Sequence, residues 1–268
     1  MTALPSLLLV GAGRMGSALL AGWREQGLTR AFVVDPSPQA LALAAPNVSV
    51  LADVALLPAD FMPEAVVLAV KPQMAAEMLP AYARFGPKAV FISIMAGKTV
   101  RGINHMLGGG CAIVRAMPNT PAAVRQGITV AFAAPQVSHS QRELSGRLLA
   151  AAGEVAWIED EAMLDPVTAI SGGGPAYVFL LTELLEQAGL DHGLPPDLAS
   201  LMARQTVIGS AALLAASPEA PEALRVAVTS PGGTTAEALK LLRADDALPK
   251  IFKAAIQAAT QRSRELSA

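Results

Sequence analysis

The chain has 268 residues, of which 53% are hydrophobic and only 16% charged, with 20 Lys and Arg against 22 Asp and Glu. That is ample apolar material for one large domain or two ordinary ones, and it excludes a mainly disordered chain. A net charge of −2 without a basic tract gives nucleic acid no electrostatic foothold, so an acidic ligand must be held by local devices. No apolar run reaches the roughly 18 residues of a membrane span. One cysteine, Cys111, forms no internal disulfide, and Met1–Ser6 carries no secretory leader, which together read as a cytoplasmic protein.

The first element is a short apolar run, Leu7 to Val10, of the kind expected for a strand covered on both faces. Gly11-Ala12-Gly13-Arg14-Met15-Gly16 follows it, then a helix from Ser17 to Gln26. Strand, G-x-G-x-x-G and helix in that order are a dinucleotide-binding unit. Gly11 makes the turn, Gly13 admits a pyrophosphate, Gly16 lets helix pack on strand, and the helix N-terminus offers N–H groups to the phosphates. A second strand, 31–34, ends at Asp35-Pro36-Ser37. Asp35 there either receives the ribose hydroxyls of NADH or caps the turn before Pro36, while the hydroxyl of Ser37 suits a phosphate. These residues leave NADPH and NADH both open.

A third strand, 65–70, runs into Lys71-Pro72-Gln73, so that Ala69, Val70, Lys71 and Pro72 leave a strand end where ligands of open sheets collect. Lys71 is a donor for a ribose or phosphate. A helix is expected over Met74–Tyr82 and a strand over 89–93. Beyond that strand, Met95, Ala96 and Gly97 suit close backbone approach to a flat nicotinamide ring. Further strands at 112–114, 128–130 and 155–158, with a helix over 138–151, complete a parallel doubly wound sheet. Arg115-Ala116-Met117-Pro118-Asn119-Thr120-Pro121 is a stiff turn that either lines a site or serves the fold.

After Ile158 the pattern turns helical: 160–170, 175–188, 195–215, 219–228, 234–242 and 247–265. The boundary is placed there, giving a Rossmann domain, 1–158, and an all-α domain, 159–268. Stretches 177–185 and 201–214 are apolar on more than one face, which calls for two-fold association through this half. Glu183, Glu186 and Arg204, interspersed there, argue against a membrane. Ser171-Gly172-Gly173-Gly174-Pro175-Ala176-Tyr177 opens one of its helices, and three glycines are costly unless something approaches closely. Ser230-Pro231-Gly232-Gly233-Thr234-Thr235 opens another. The N–H groups of Gly233, Thr234 and Thr235 and the hydroxyls of Ser230, Thr234 and Thr235 make a nest for a small anion, most simply a carboxylate.

His105, His139 and His192 lie in unrelated surroundings, and no metal-ligand spacing or nucleophile elbow is present in the sequence. A redox enzyme this poor in acid–base groups suits a C=N bond, whose iminium carbon accepts hydride readily. A β-hydroxyacid dehydrogenase would need a Lys on the helix 175–190, which has none. A non-catalytic nucleotide sensor would leave the nest for a regulatory metabolite.

Taken in order, Gly-Ala-Gly-Arg-Met-Gly, Ala-Val-Lys-Pro-Gln, Arg-Ala-Met-Pro-Asn-Thr-Pro, Ser-Gly-Gly-Gly-Pro-Ala-Tyr and Thr-Ser-Pro-Gly-Gly-Thr-Thr closely resemble pyrroline-5-carboxylate reductase. The resemblance spans nearly the whole chain. It implies reduction of L-1-pyrroline-5-carboxylate to L-proline by NADPH or NADH, the last step of proline biosynthesis. It also implies an interlocked dimer, often assembled into a decamer. On this likeness Ser230, Gly232, Gly233, Thr234 and Thr235 hold the substrate carboxylate, Thr235 serves the ring nitrogen, and Glu183 orients the cofactor carboxamide. Gly173 stands where the family usually carries Ser.

Overall fold

The computed structural model describes residues 4–267. Residues 1–3, part of the expected leaderless start, and residue 268 lie outside it. By contact the chain divides into two compact units. One runs up to Gly172 and takes in the residues from Ala259 onward; the other is Gly173–Ala258.

The first unit is built on eight strands: β1 (Leu4–Val10), β2 (Leu28–Val34), β3 (Val48–Leu51), β4 (Ala65–Leu68), β5 (Val90–Ser93), β6 (Ala112–Met117), β7 (Gly127–Ala133) and β8 (Gly153–Ile158). Their order is β3-β2-β1-β4-β5-β6-β7-β8. Its helices are α1 (Arg14–Glu25), α2 (Ala75–Met78), α3 (Val100–Met106), α4 (His139–Leu149) and α5 (Leu164–Val167). The order 3-2-1-4 places a topological switch between β1 and β4, where the chain leaves in opposite directions and opens a crevice at the strand C-termini.

The alternation along β1 assigns its two faces. Leu7 and Leu9 join Trp23 of α1 and Leu148 and Leu149 of α4 in one core. Leu8 and Val10 join Tyr82, Phe85, Phe91 and Ile103 in the other. Neighbouring side chains thus go to opposite faces of one sheet, and both faces are sealed. The Trp23 indole spends its one donor on the Leu148 carbonyl at 2.8 Å, so it is buried without an unpaired group.

The sheet is mostly, not wholly, parallel: β6 and β7 pair antiparallel, and β8 runs parallel to β7. The chain turns back directly through the short 3₁₀ stretch Thr120–Val124, with Arg125 in the left-handed region at φ 61°, instead of crossing over through a helix. The helix expected over Met74–Tyr82 is a series of tighter turns, with α2 between 3₁₀ segments at Pro72–Met74 and Leu79–Phe85. Pro72 and Pro80 explain this, since each lacks an N–H and neither continues an i to i−4 ladder. The edge strand β3 has no counterpart among the expected strands; it is four residues long and buried only at its first position.

The contact boundary falls at Gly172, some way past Ile158, because the segment between them is bound into the first unit. Glu161 pairs with Arg115 of β6 at 3.0 Å, and the Asn119 side-chain amide donates to the Ser171 carbonyl at 3.2 Å. The side-chain oxygen of the same Asn119 accepts from the Ile128 N–H at 2.9 Å. The Pro118–Pro121 turn therefore serves the fold.

The second unit contains α6 (Gly174–Asp191), α7 (Pro196–Ala216), α8 (Pro221–Ala227), α9 (Thr234–Leu242) and the first part of α10 (Ala247–Ser267). Among the described residues α7 is long and apolar enough to cross a membrane by length and composition. With α6 it leaves Phe179, Leu180, Leu181, Leu184, Leu201, Ile208, Leu213 and Leu214 exposed on a single chain.

Candidate functional site

The glycine turn closes on itself before any ligand is considered. Gly11 takes φ +92°, a left-handed conformation, and a Cβ there would lie 2.6 Å from the Ala69 carbonyl oxygen. At Gly16 a Cβ would meet the Gly11 oxygen at 2.3 Å, so helix and turn touch only because no side chain intervenes. Gly13 differs: a Cβ would meet nothing within 4 Å. Packing does not require glycine at that position, whereas a pyrophosphate coming up to the backbone does. Gly13 is also the N-cap of α1 and supplies no side-chain cap, which leaves the first-turn N–H groups of that helix for an outside acceptor. These features fit a dinucleotide.

Asp35 is placed where the glycine turn and the end of β2 meet. One carboxylate oxygen accepts from the Ala12 N–H at 2.6 Å and the other from the Ser37 N–H at 2.8 Å. The carboxylate thus ties Ala12 to β2 and shapes the turn before the 3₁₀ segment Pro38–Leu43, while the Ser37 hydroxyl bonds the Gln39 side chain. Arg14 and Lys71 are exposed, neither forms an ion pair among the described residues, and both stand at strand ends on the crevice side. Ala69 and Val70 are half-buried beneath the glycine turn, and Pro72 starts the next 3₁₀ turn.

After β5 the chain brings Met95, Ala96 and Gly97 to the same sheet edge. Met95 is buried in the core at 2% exposure, so of the three it is Ala96 that is exposed. Gly97 sits at φ +70° with the Leu266 carbonyl 2.8 Å from where a Cβ would be. A groove of about 1020 Å³ lies elsewhere, along α4 and beside Glu64 and Lys88, which precede β4 and β5. That is the strand N-terminal end, opposite to the ligand end of such sheets.

In the second unit α9 begins like α1. Its N-cap is Gly233, again without a side-chain cap, and Gly232 before it has φ +70°. The Gly233 N–H returns to the Ser230 carbonyl at 3.1 Å, and a Cβ on Gly233 would fall 2.5 Å from the Ser230 hydroxyl. Ser230, Thr234 and Thr235 are exposed. The uncapped start of α9 thus lies beside three short hydroxyl side chains within six residues, a composition suited to a carboxylate, although the Gly233 N–H expected in the nest is taken by Ser230. Glu183, on α6, lies in a groove of about 340 Å³ with Phe179, Glu186 and Arg204. All the nucleotide-side loops belong to the first unit, and the nest and Glu183 to the second. Among the described residues no group of three His, Cys, Asp or Glu stands ready to hold a metal ion.

The motif reading did not single out Glu161, whose carboxylate meets both Arg115 and the Val100 N–H. Its partners are distant in sequence, and no local pattern marks it.

Comparison with known proteins finds relatives over both parts of the chain. A family model described as pyrroline-5-carboxylate reductase dimerisation matches residues 161–266, and one described as NADP oxidoreductase, coenzyme F420-dependent, matches 6–97. A pyrroline-5-carboxylate reductase of Pseudomonas aeruginosa is 40% identical, covering 98% of this chain and 97% of that protein. The solved pyrroline-5-carboxylate reductase of Coxiella burnetii superposes with a TM-score of 0.90 at 33% identity, covering 98% and 99% of the two chains. That of Plasmodium falciparum, determined with NADP bound, gives 0.84 at 28% identity over the full length of both. The dimerisation match supports homo-oligomerisation, which suits the exposed apolar faces of α6 and α7.

Proposed function

The chain belongs to the pyrroline-5-carboxylate reductase family and reduces 1-pyrroline-5-carboxylate to proline with NAD(P)H, and from that premise we propose how its residues divide the work. The observation that carries the proposal is a pair of uncapped helix starts, α1 in one unit and α9 in the other. The first suits a pyrophosphate and the second a carboxylate.

On the cofactor side, Gly13, Arg14, Met15 and Gly16 present backbone N–H groups to the pyrophosphate, and Gly11 and Ala12 make the turn that sets them there, their own N–H groups being held by Val34 and Asp35. Asp35 and Ser37 border the adenosine ribose, and Lys71 supplies a positive charge from the loop of Ala69, Val70 and Pro72. Met95, Ala96 and Gly97 give the nicotinamide a smooth backbone surface, and Glu183 orients its carboxamide. When bound, NAD(P)H supplies the hydride that adds to the C=N carbon.

On the substrate side, the N–H groups of Thr234 and Thr235 and the hydroxyls of Ser230 and Thr234 hold the carboxylate, and the turn at Gly232 and Gly233, closed by the Gly233 N–H on Ser230, aims them. The Thr235 hydroxyl donates to the ring nitrogen as it becomes a secondary amine, so that hydride and proton together complete the reduction. Most of the rate then comes from position, since little proton chemistry remains for the protein. We divide the chain by function into a dinucleotide-binding part, 1–158, and a substrate-binding and dimerisation part, 159–268, a reading supported by the family-model matches over 6–97 and 161–266. We extend the homo-oligomer to an interlocked dimer, assembled further into a decamer of five dimers in the cytoplasm, without nucleic-acid or membrane partners, in keeping with the net charge of −2.

The carboxylate anchor is tested by its removal from the substrate. 1-Pyrroline, the same imine without the carboxylate, is expected to show kcat/KM lower by about 10²-fold or more, the worth of a charge-assisted set of hydrogen bonds. Equal kcat/KM for the two imines would remove the nest from the substrate site.

A further inference from the structure

The loop Ile94–Thr99 leaves β5 at Ser93 and ends where α3 begins at Val100. Both ends are held by one ion pair. Arg115 is the direct strand partner of Ser93 across the β5–β6 ladder. Its guanidinium reaches Glu161 at 3.0 Å, and the same Glu161 oxygen accepts the Val100 N–H at 2.7 Å. The Arg115 side chain is 7% exposed and that of Glu161 25%. A guanidinium at that depth is costly without a partner, and an unpaired N–H at a helix start is costly too. One carboxylate from the segment after β8 satisfies both.

We propose that Glu161, backed by Arg115, is a positioning residue for the nicotinamide-side loop; this rests on the assignment of Met95, Ala96 and Gly97 to that face. The loop's other restraints are local: the Ile94 N–H donates to the Leu68 carbonyl at 3.1 Å, the Ser93 hydroxyl accepts from the Met95 N–H at 3.3 Å, Met95 is buried, Gly97 abuts the Leu266 carbonyl, and the Thr99 hydroxyl caps α3 by accepting from the Gly102 N–H at 3.1 Å. Without the carboxylate, Val100 and Arg115 lose their shared acceptor and the loop loses its fixed end. The nest is built from other residues in the other unit and is untouched.

The test is a matched pair, Glu161→Ala and Glu161→Gln, read by direct NADPH and NADH titration without substrate and by the KM of each reactant. Glu161→Ala is expected to raise the nucleotide dissociation constant about tenfold, as loss of hydrogen bonds to a charged group does, with the imino-acid KM within about threefold. Glu161→Gln keeps an acceptor for Val100 and is expected to recover most of the binding. If Glu161→Ala does not fold, Arg115→Lys, which keeps the charge and loses the planar fork, is expected to weaken nucleotide binding about threefold. A lower Tm with unchanged nucleotide affinity in folded variants would overturn the proposal and leave a merely structural pair. Wild-type protein that binds neither nucleotide would overturn the loop assignment along with it.

Discussion

Thr235→Ala is expected to lower kcat by about 10²- to 10³-fold, the usual cost of removing one donor aimed at the reacting group. Stability should hardly change. Thr235 is exposed in the first turn of α9, and its hydroxyl is not the cap of that helix, which has none from a side chain. Loss of a true cap would cost about 1 kcal/mol, and alanine in a helix returns a few tenths. The measurements are steady-state kcat and Tm on the same preparation. Thr235→Ser, which keeps the hydroxyl, should retain most of the rate. Matched losses of rate and stability in Thr235→Ala would make the residue part of the fold and remove it from the chemistry.

Gly13→Ala and Gly16→Ala, three residues apart in one turn, are expected to fail in opposite ways. At Gly13 a methyl group meets open space, and φ −66° with ψ −172° is allowed to any residue. The protein should fold with its Tm nearly unchanged, while KM for NAD(P)H rises about tenfold or more because the methyl occupies ground needed by the pyrophosphate. At Gly16 the methyl would sit 2.3 Å from the Gly11 oxygen, and helix and turn must separate to admit it. That strain is of the overpacking kind, about 1–3 kcal/mol, and it should lower Tm before any ligand is added. Thermal denaturation and nucleotide titration of the two variants decide the matter. A large Tm loss in Gly13→Ala would mean that this glycine serves packing, and the argument for a cofactor at that point would fail.

These two glycines also mark how far the amino-acid order could be read. Strand–glycine turn–helix is a local pattern, and the all-apolar Leu7–Val10 announced a strand sealed on both faces, as the split of its side chains between two cores bears out. The helical second half was legible for the same reason, since its 3.6-residue periodicity is local. What escaped depends on distant partners or on small local penalties. The edge strand β3 is short and half-covered, so it carries no run of apolar residues to betray it. Pro80 converts a helical pattern to 3₁₀ turns at the cost of one missing N–H. The return of β7 against β6 depends on a turn closed by Asn119 bonding to Ile128 and to Ser171, 52 residues on. Arg115 and Glu161 are 46 residues apart, and only the folded sheet places them together.

Of the two roles expected of Asp35, the structure shows the one in the turn, and the ribose contact stays a proposal. Asp35 stands beside the glycine turn, as a ribose-binding acid would, and it also shapes the turn that follows Pro36. Its bond to the Ala12 N–H further holds the glycine turn against β2.

The most direct test mixes purified protein with 1-pyrroline-5-carboxylate and NADPH, or NADH, and follows nicotinamide oxidation together with proline. The account predicts oxidation with at least one of the two nucleotides, one proline formed for each nucleotide oxidised. Oxidation of neither nucleotide in the presence of the imino acid would contradict it.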